Sequence, residues 1–198
     1  MSDRISSYRS YFITDKEDLD CGPEEHAKAI AFRILSSAAM EEYVEERCKQ
    51  AARDGMERLK KGLPTSTGRA LVIWGVSRNT PGVIPIHEAD VGSYFSEYDS
   101  ILDSYLTSVS GSHGLNSKDL ARLVNPVGLR QHQVPSGLAD KVQSLADRRD
   151  PVVHVSITRA RSHFAPSVEV KQVEDIVGLL EQLDDALQVA VETFPLNP

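Results

Sequence analysis

At 198 residues, 40% hydrophobic and 26% charged, the chain is long and apolar enough to bury a core without disulfides or a structural metal, which excludes an intrinsically disordered chain. A formal net charge of −7 excludes a protein that coats nucleic acid with its whole surface, so any polyanion site has to be local. Met1 to Ser7 hold no apolar run fit for a signal peptide and nowhere does a membrane-length apolar stretch stand, so a cytoplasmic protein with no membrane partner is expected.

In chain order, Ile5, Tyr8 and Phe12 stand at helical spacing and predict a short helix in an N-terminal extension over 1–21. Gly22-Pro23-Glu24-Glu25 then opens a long helix, with proline at the first helical position and acids facing the positive end of the dipole. That helix runs to about Lys61 on a stripe of Ile30, Ile34, Ala38, Val44, Cys48 and Ala51, with Gly55 its one weak point and Gly62-Leu63-Pro64 its stop. Leu71-Val72-Ile73-Trp74 is continuously apolar and reads equally as a buried helical turn or a strand; Arg78 to Gly82 is a turn, and 62–88 as a whole reads as an irregular insert.

From Ala89 to Val109 the positions Val91, Tyr94, Phe95, Tyr98, Ile101, Leu102, Tyr105, Leu106 and Val109 recur at three and four, an amphipathic helix. Gly111 to Gly114 breaks it, Asn116 caps a short helix through Leu123, and Asn125-Pro126-Val127-Gly128 is a further break. Another helix follows from about Pro135 on Leu138, Val142 and Leu145. A last one starts near Ser167 and carries Val173, Ile176, Val177, Leu180, Leu183, Leu187, Ala190 and Val191. The whole predicts an all-α bundle of one domain over 1–198, with its core at about 22–193.

Chemistry concentrates in Asp147-Arg148-Arg149-Asp150-Pro151-Val152-Val153-His154. From Lys141 to His163 five basic residues (Lys141, Arg148, Arg149, Arg159, Arg161) face two acids (Asp147, Asp150) within an acidic protein. Asp150 before Pro151 is a helix-start signal, which would set Arg149 just before the cap and His154 one turn inside a new helix, at an amide end that favours phosphate. Cys21 and Cys48 are isolated and read as ordinary reduced thiols; His26, His87, His113 and His132 are scattered, so neither a metal nor a cofactor is expected.

The arrangement Arg149, polar Asp150 and His154 in an all-helical chain resembles the signature of the HEPN superfamily. Its context is similar to the prokaryotic RiboL-PSP type of HEPN domain: an early helix with Ile34-Leu35-Ser36-Ser37-Ala38-Ala39-Met40-Glu41, then an Asn-Pro-Val-Gly turn, the motif, and a terminal helix. The resemblance implies a homodimer with both motifs on one cleft and metal-independent endoribonuclease activity, as in a toxin or phage-defence effector with RNA as substrate. An antitoxin or other defence-system protein would then be a partner. The alternative is a non-catalytic HEPN module that binds a partner protein or nucleotide, modestly disfavoured because Arg149, Asp150 and His154 are all intact. Pro151 is a departure that bears on the helix start.

The residue types suit the chemistry. Histidine, with an ordinary pKa near ~6.5, can take the proton of a ribose 2′-hydroxyl or protonate the leaving oxygen, and arginine stabilises charge building on phosphate. His154 is the proton-transfer candidate and Arg149 the phosphate clamp. Glu41, near the apolar stripe, needs a partner such as Arg149 or Arg148; Asp150 is a cap; Arg148, Arg159, Arg161 and His163 are candidates to extend an RNA-binding surface.

Overall fold

The computed structural model describes residues 1–14, 16–79, 94–111, 114–154 and 165–192, with backbone alone at 79 and 149–154. Among them the regular structure is entirely helical. Seven α-helices follow one another: α1 Ser2–Phe12, α2 Pro23–Lys60, α3 Ser66–Asn79, α4 Tyr98–Ser110, α5 Ser117–Val124, α6 Leu138–His154 and α7 Pro166–Glu192. No described helix is long and apolar enough to cross a membrane.

Two compact units emerge from the packing. The first comprises Met1–Tyr43, Gly114–Ser117 and Ser136–Glu181; the second comprises Val44–His113, Lys118–Pro135 and Gln182–Pro198. α2 and α7 each contribute to both.

In the first unit, the opening half of α2 buries Ala29, Ile30, Phe32, Ala39 and Met40 together with Arg33, Ser36 and Ser37. This is not the stripe expected from its aliphatic residues. Ile34 is only half-buried and Ala38 is exposed, because the buried positions 29, 32–33, 36 and 40 share one side of a 3.6-residue helix and that side carries polar letters. α6 adds Leu138, Val142 and Leu145 and α7 adds Val173, Ile176 and Leu180 from their expected apolar faces, with Val170 in addition and Val177 only half-buried. α1 buries Ile5 alone. Ion pairs of Arg4 with Glu42 and of Arg9 with Glu174 fasten the rest of it. At the start of α7, Asp18 accepts from both the backbone N–H and the hydroxyl of Ser167, and these hydrogen bonds lower its pKa.

In the second unit the expected irregular insert is largely a helix. α3 begins at Ser66, so Leu71 to Trp74 is the buried helical turn of the two readings left open, and only residues 80–88 of the insert lie outside the described part. Glycine makes this packing feasible. A Cβ on Gly68 would sit 2.7 Å from the carbonyl oxygen of Gly55, and one on Gly55 would sit 2.7 Å from the Thr67 methyl. Backbone therefore meets backbone where α2 and α3 cross, and the apparent weak point of α2 is its contact point. Gly128, at φ 90°, sets the Asn125–Gly128 turn against Ser66.

α4 starts at Tyr98, later than Ala89; positions 89–93 lie outside the described part and Phe95 is exposed. Tyr98, Ile101, Tyr105 and Val109 are its buried face. Tyr105 donates its hydroxyl to the Leu123 carbonyl at 2.7 Å and meets Trp74 edge-on at 5.7 Å between ring centres. Arg58 donates to the Val191 carbonyl and Arg47 pairs with Asp184, joining the ends of α2 and α7; Lys60 pairs with Asp99, joining α2 and α4. Val44, Cys48 and Ala51 of α2 and Leu183, Leu187 and Ala190 of α7 are buried as expected, whereas Leu102, Leu106 and Val191 are only half-buried.

Cys48 is fully buried, which pushes its thiol up to about 12, whereas Cys21 is half-exposed. A disulfide reagent at mildly alkaline pH is expected to titrate one thiol on the native protein and the second only after denaturant is added. Two equally fast thiols would contradict this packing of α2 on α4.

Candidate functional site

α6 begins at Leu138 after Gly137, whose φ is 80°, and continues without interruption through Pro151 to His154. The expected helix start at Asp150-Pro151 is therefore corrected. Arg149, Asp150 and His154 lie in the closing turns of a helix already under way, and Asp150 caps no new one. The start signal failed for a physical reason: it needs the preceding turn to end, and Asp147-Arg148-Arg149 contains no glycine or other stop. An amide end that attracts phosphate is accordingly not what this segment offers, since the closing turns of a helix present carbonyls and favour cations. Positions 149 and 154 are separated by roughly 7.5 Å along the helix axis, at 1.5 Å per residue. Arg159, Arg161 and His163 lie outside the described residues.

The side chains before the motif form a buried polar cluster. Arg33 of α2 donates from Nη1 to Glu169 Oε1 of α7 at 2.6 Å and from Nη2 to the backbone carbonyl of Arg148 at 3.2 Å. The two side chains are 4% and 2% exposed, so this is a desolvated ion pair. Arg148 places Nη1 3.9 Å from the same carboxylate oxygen and Nη2 3.4 Å from Ser144 Oγ, which also accepts from Gln172 Nε2 at 3.4 Å. α2, α6 and α7 are thereby tied together one residue before Arg149.

Glu41 accepts a hydrogen bond from the backbone N–H of Gly114, and the carboxylate beside Arg148 is Glu169. Nearer the start of α6, Lys141 pairs with Asp175 at 2.8 Å, which lowers the Asp175 pKa, and Gln143 joins Ser117 to Asp147.

Sequence reasoning overlooked Arg33 and Glu169. Neither residue belongs to a motif or to the aliphatic stripe by which α2 was recognised. The signal was present nonetheless: Glu169, Val173, Ile176 and Leu180 are spaced four, three and four apart, as are Arg33, Ser37, Met40 and Val44. Each charge stands in register with its helix's buried stripe.

Among the described residues no group of three His, Cys, Asp or Glu side chains is placed to hold a metal ion. No family model matches the chain, and neither a curated protein nor a solved structure matches it.

Proposed function

We propose that the protein is a metal-independent endoribonuclease of HEPN type, acting as a toxin or defence effector, with Arg149 and His154 as its catalytic pair. One observation supports the reading above others: the Arg-x4-His segment ends a helix whose preceding residue, Arg148, is held by a buried charged cluster within an all-helical frame. The reading rests on that motif and its setting, not on any relative.

The reaction forms a bond from the ribose 2′-oxygen to phosphorus and breaks the bond from phosphorus to the 5′-oxygen. The 2′-hydroxyl proton passes to a base, the departing oxygen receives one from an acid, and the products are a cyclic phosphate and a 5′-hydroxyl. His154 supplies proton transfer and Arg149 binds the phosphate oxygens through its forked donors. One histidine cannot give and take a proton simultaneously, so two chains share one groove. Arg148, Arg159 and Arg161 contribute to RNA binding around it, with Asp150 and Glu41 in support. A solution mass of two chains at micromolar concentration, or on addition of RNA, is expected from sedimentation or light scattering; one chain under both conditions contradicts the shared groove.

The decisive test is cleavage of a fluorescent RNA in excess chelator by wild type and His154→Ala. Cutting that needs His154 and survives chelation supports the nuclease. An intact protein that binds RNA or a partner without cutting is a non-catalytic module.

A further inference from the structure

Pro151 has no backbone N–H, so within α6 the carbonyl of Asp147 loses its usual donor four residues on, and a proline ring at such a place pushes that carbonyl aside. The turn just before the motif is the weak turn of the helix. A buried donor from another helix reaches the next carbonyl of that turn, that of Arg148, rather than the Asp147 carbonyl itself. The Arg33 guanidinium spends one prong on Glu169 and the other on the carbonyl of Arg148. Its planar fork holds both acceptors at fixed geometry, which an ammonium cannot do.

Stability alone does not account for this pair. Apolar residues of similar volume generally serve a core as well as a buried ion pair does, because desolvation offsets the attraction. Here the network is not even saturated: among the described residues, Arg33 Nε, Glu169 Oε2, Ser36 Oγ and Gln172 Oε1 have no hydrogen-bond partner. What the pair supplies that apolar packing does not is a directed donor at the Arg148 carbonyl.

We infer that Arg33, oriented by Glu169, is a positioning residue that splints α6 across Pro151 and so fixes the course of the turns carrying Arg149 and His154. Its consequence for cleavage rests on the nuclease reading above; the splint itself does not. Neither residue touches RNA in this scheme, since both are buried.

The test is hydrogen exchange by mass spectrometry on the full chain, wild type against Arg33→Lys, which keeps the charge beside Glu169 and loses the second prong. Exchange in peptides covering 148–154 is expected to rise by about ten-fold or more, with peptides covering 139–146 little changed. Steady-state RNA cleavage should show kcat down by about ten-fold with KM nearly constant, because a misplaced group costs rate rather than binding. If Arg33→Lys fails to fold, Arg33→Met/Glu169→Leu fills the space without a donor and should give the same local rise. Unchanged protection at 148–154, loss spread evenly along α6, or fast exchange there already in the wild type overturns the splint. Raised exchange with unchanged kcat overturns its link to cleavage. A wild type that cuts no RNA overturns the nuclease reading, while the exchange pattern still decides the splint.

Discussion

His154→Ala and Arg149→Ala are each expected to abolish measurable RNA cleavage, with helical circular dichroism retained and chelator without effect on the wild type. A positioned acid–base group typically contributes 10²- to 10⁴-fold, so loss of His154 should stand far above assay noise. Arg149→Lys should also be poor: it keeps the charge but loses the two-point grip on phosphate. The position of the pair in the closing turns of α6 sharpens this expectation. With no helix amide end to share the phosphate, the burden falls on the arginine side chain itself. Alanine variants that cut like wild type, or cutting that disappears with chelator, would move the activity away from this segment.

The largest expected effect on stability comes from Glu169→Leu. Removing one partner of a buried pair leaves the other charge desolvated and uncompensated, at a cost of about 3–5 kcal/mol. For a chain of this size each kcal/mol lowers Tm by roughly 2–4 °C, so the shift should be plain in a melting curve. Arg33→Met/Glu169→Leu removes both charges and is expected to recover most of the loss. A denaturation series on wild type, the single and the double variant reads both numbers. If the single variant melts with the wild type, the Arg33–Glu169 pair is not desolvated as its 4% and 2% exposures indicate. The double variant also separates two roles that a single deletion would blur, because it should be stable yet leave the Arg148 carbonyl without the Arg33 donor.

The helical plan was readable because its signals are local and repeated. Pro23 at a helix start, the three-and-four spacing through Tyr105, and the run from Val173 to Ala190 each predict a helix found in the structure. What escaped reading depends on partners distant in sequence. Arg33 and Glu169 are separated by 136 residues, so nothing next to either one announces that it will be buried. Pro151 misled for the converse reason. A local helix-start signal was read as sufficient, whereas the helix continues through it. α3 stayed undecided because Leu71 to Trp74 is continuously apolar and shows no period; in the structure the bare Gly68 and Gly75 make room for Gly55 and Ile101.

That same bareness reverses a familiar engineering rule. Replacing a helix-interior glycine by alanine ordinarily raises stability, by roughly 0.4–1 kcal/mol, through the smaller freedom of the unfolded chain. At positions 55 and 68 the added methyl would have to occupy space already taken, 2.7 Å from the Thr67 methyl in one case and from a carbonyl oxygen in the other. A backbone oxygen cannot swing away as a side-chain tip does. Thermostabilisation of this protein by propensity alone would therefore begin by choosing two of its worst targets.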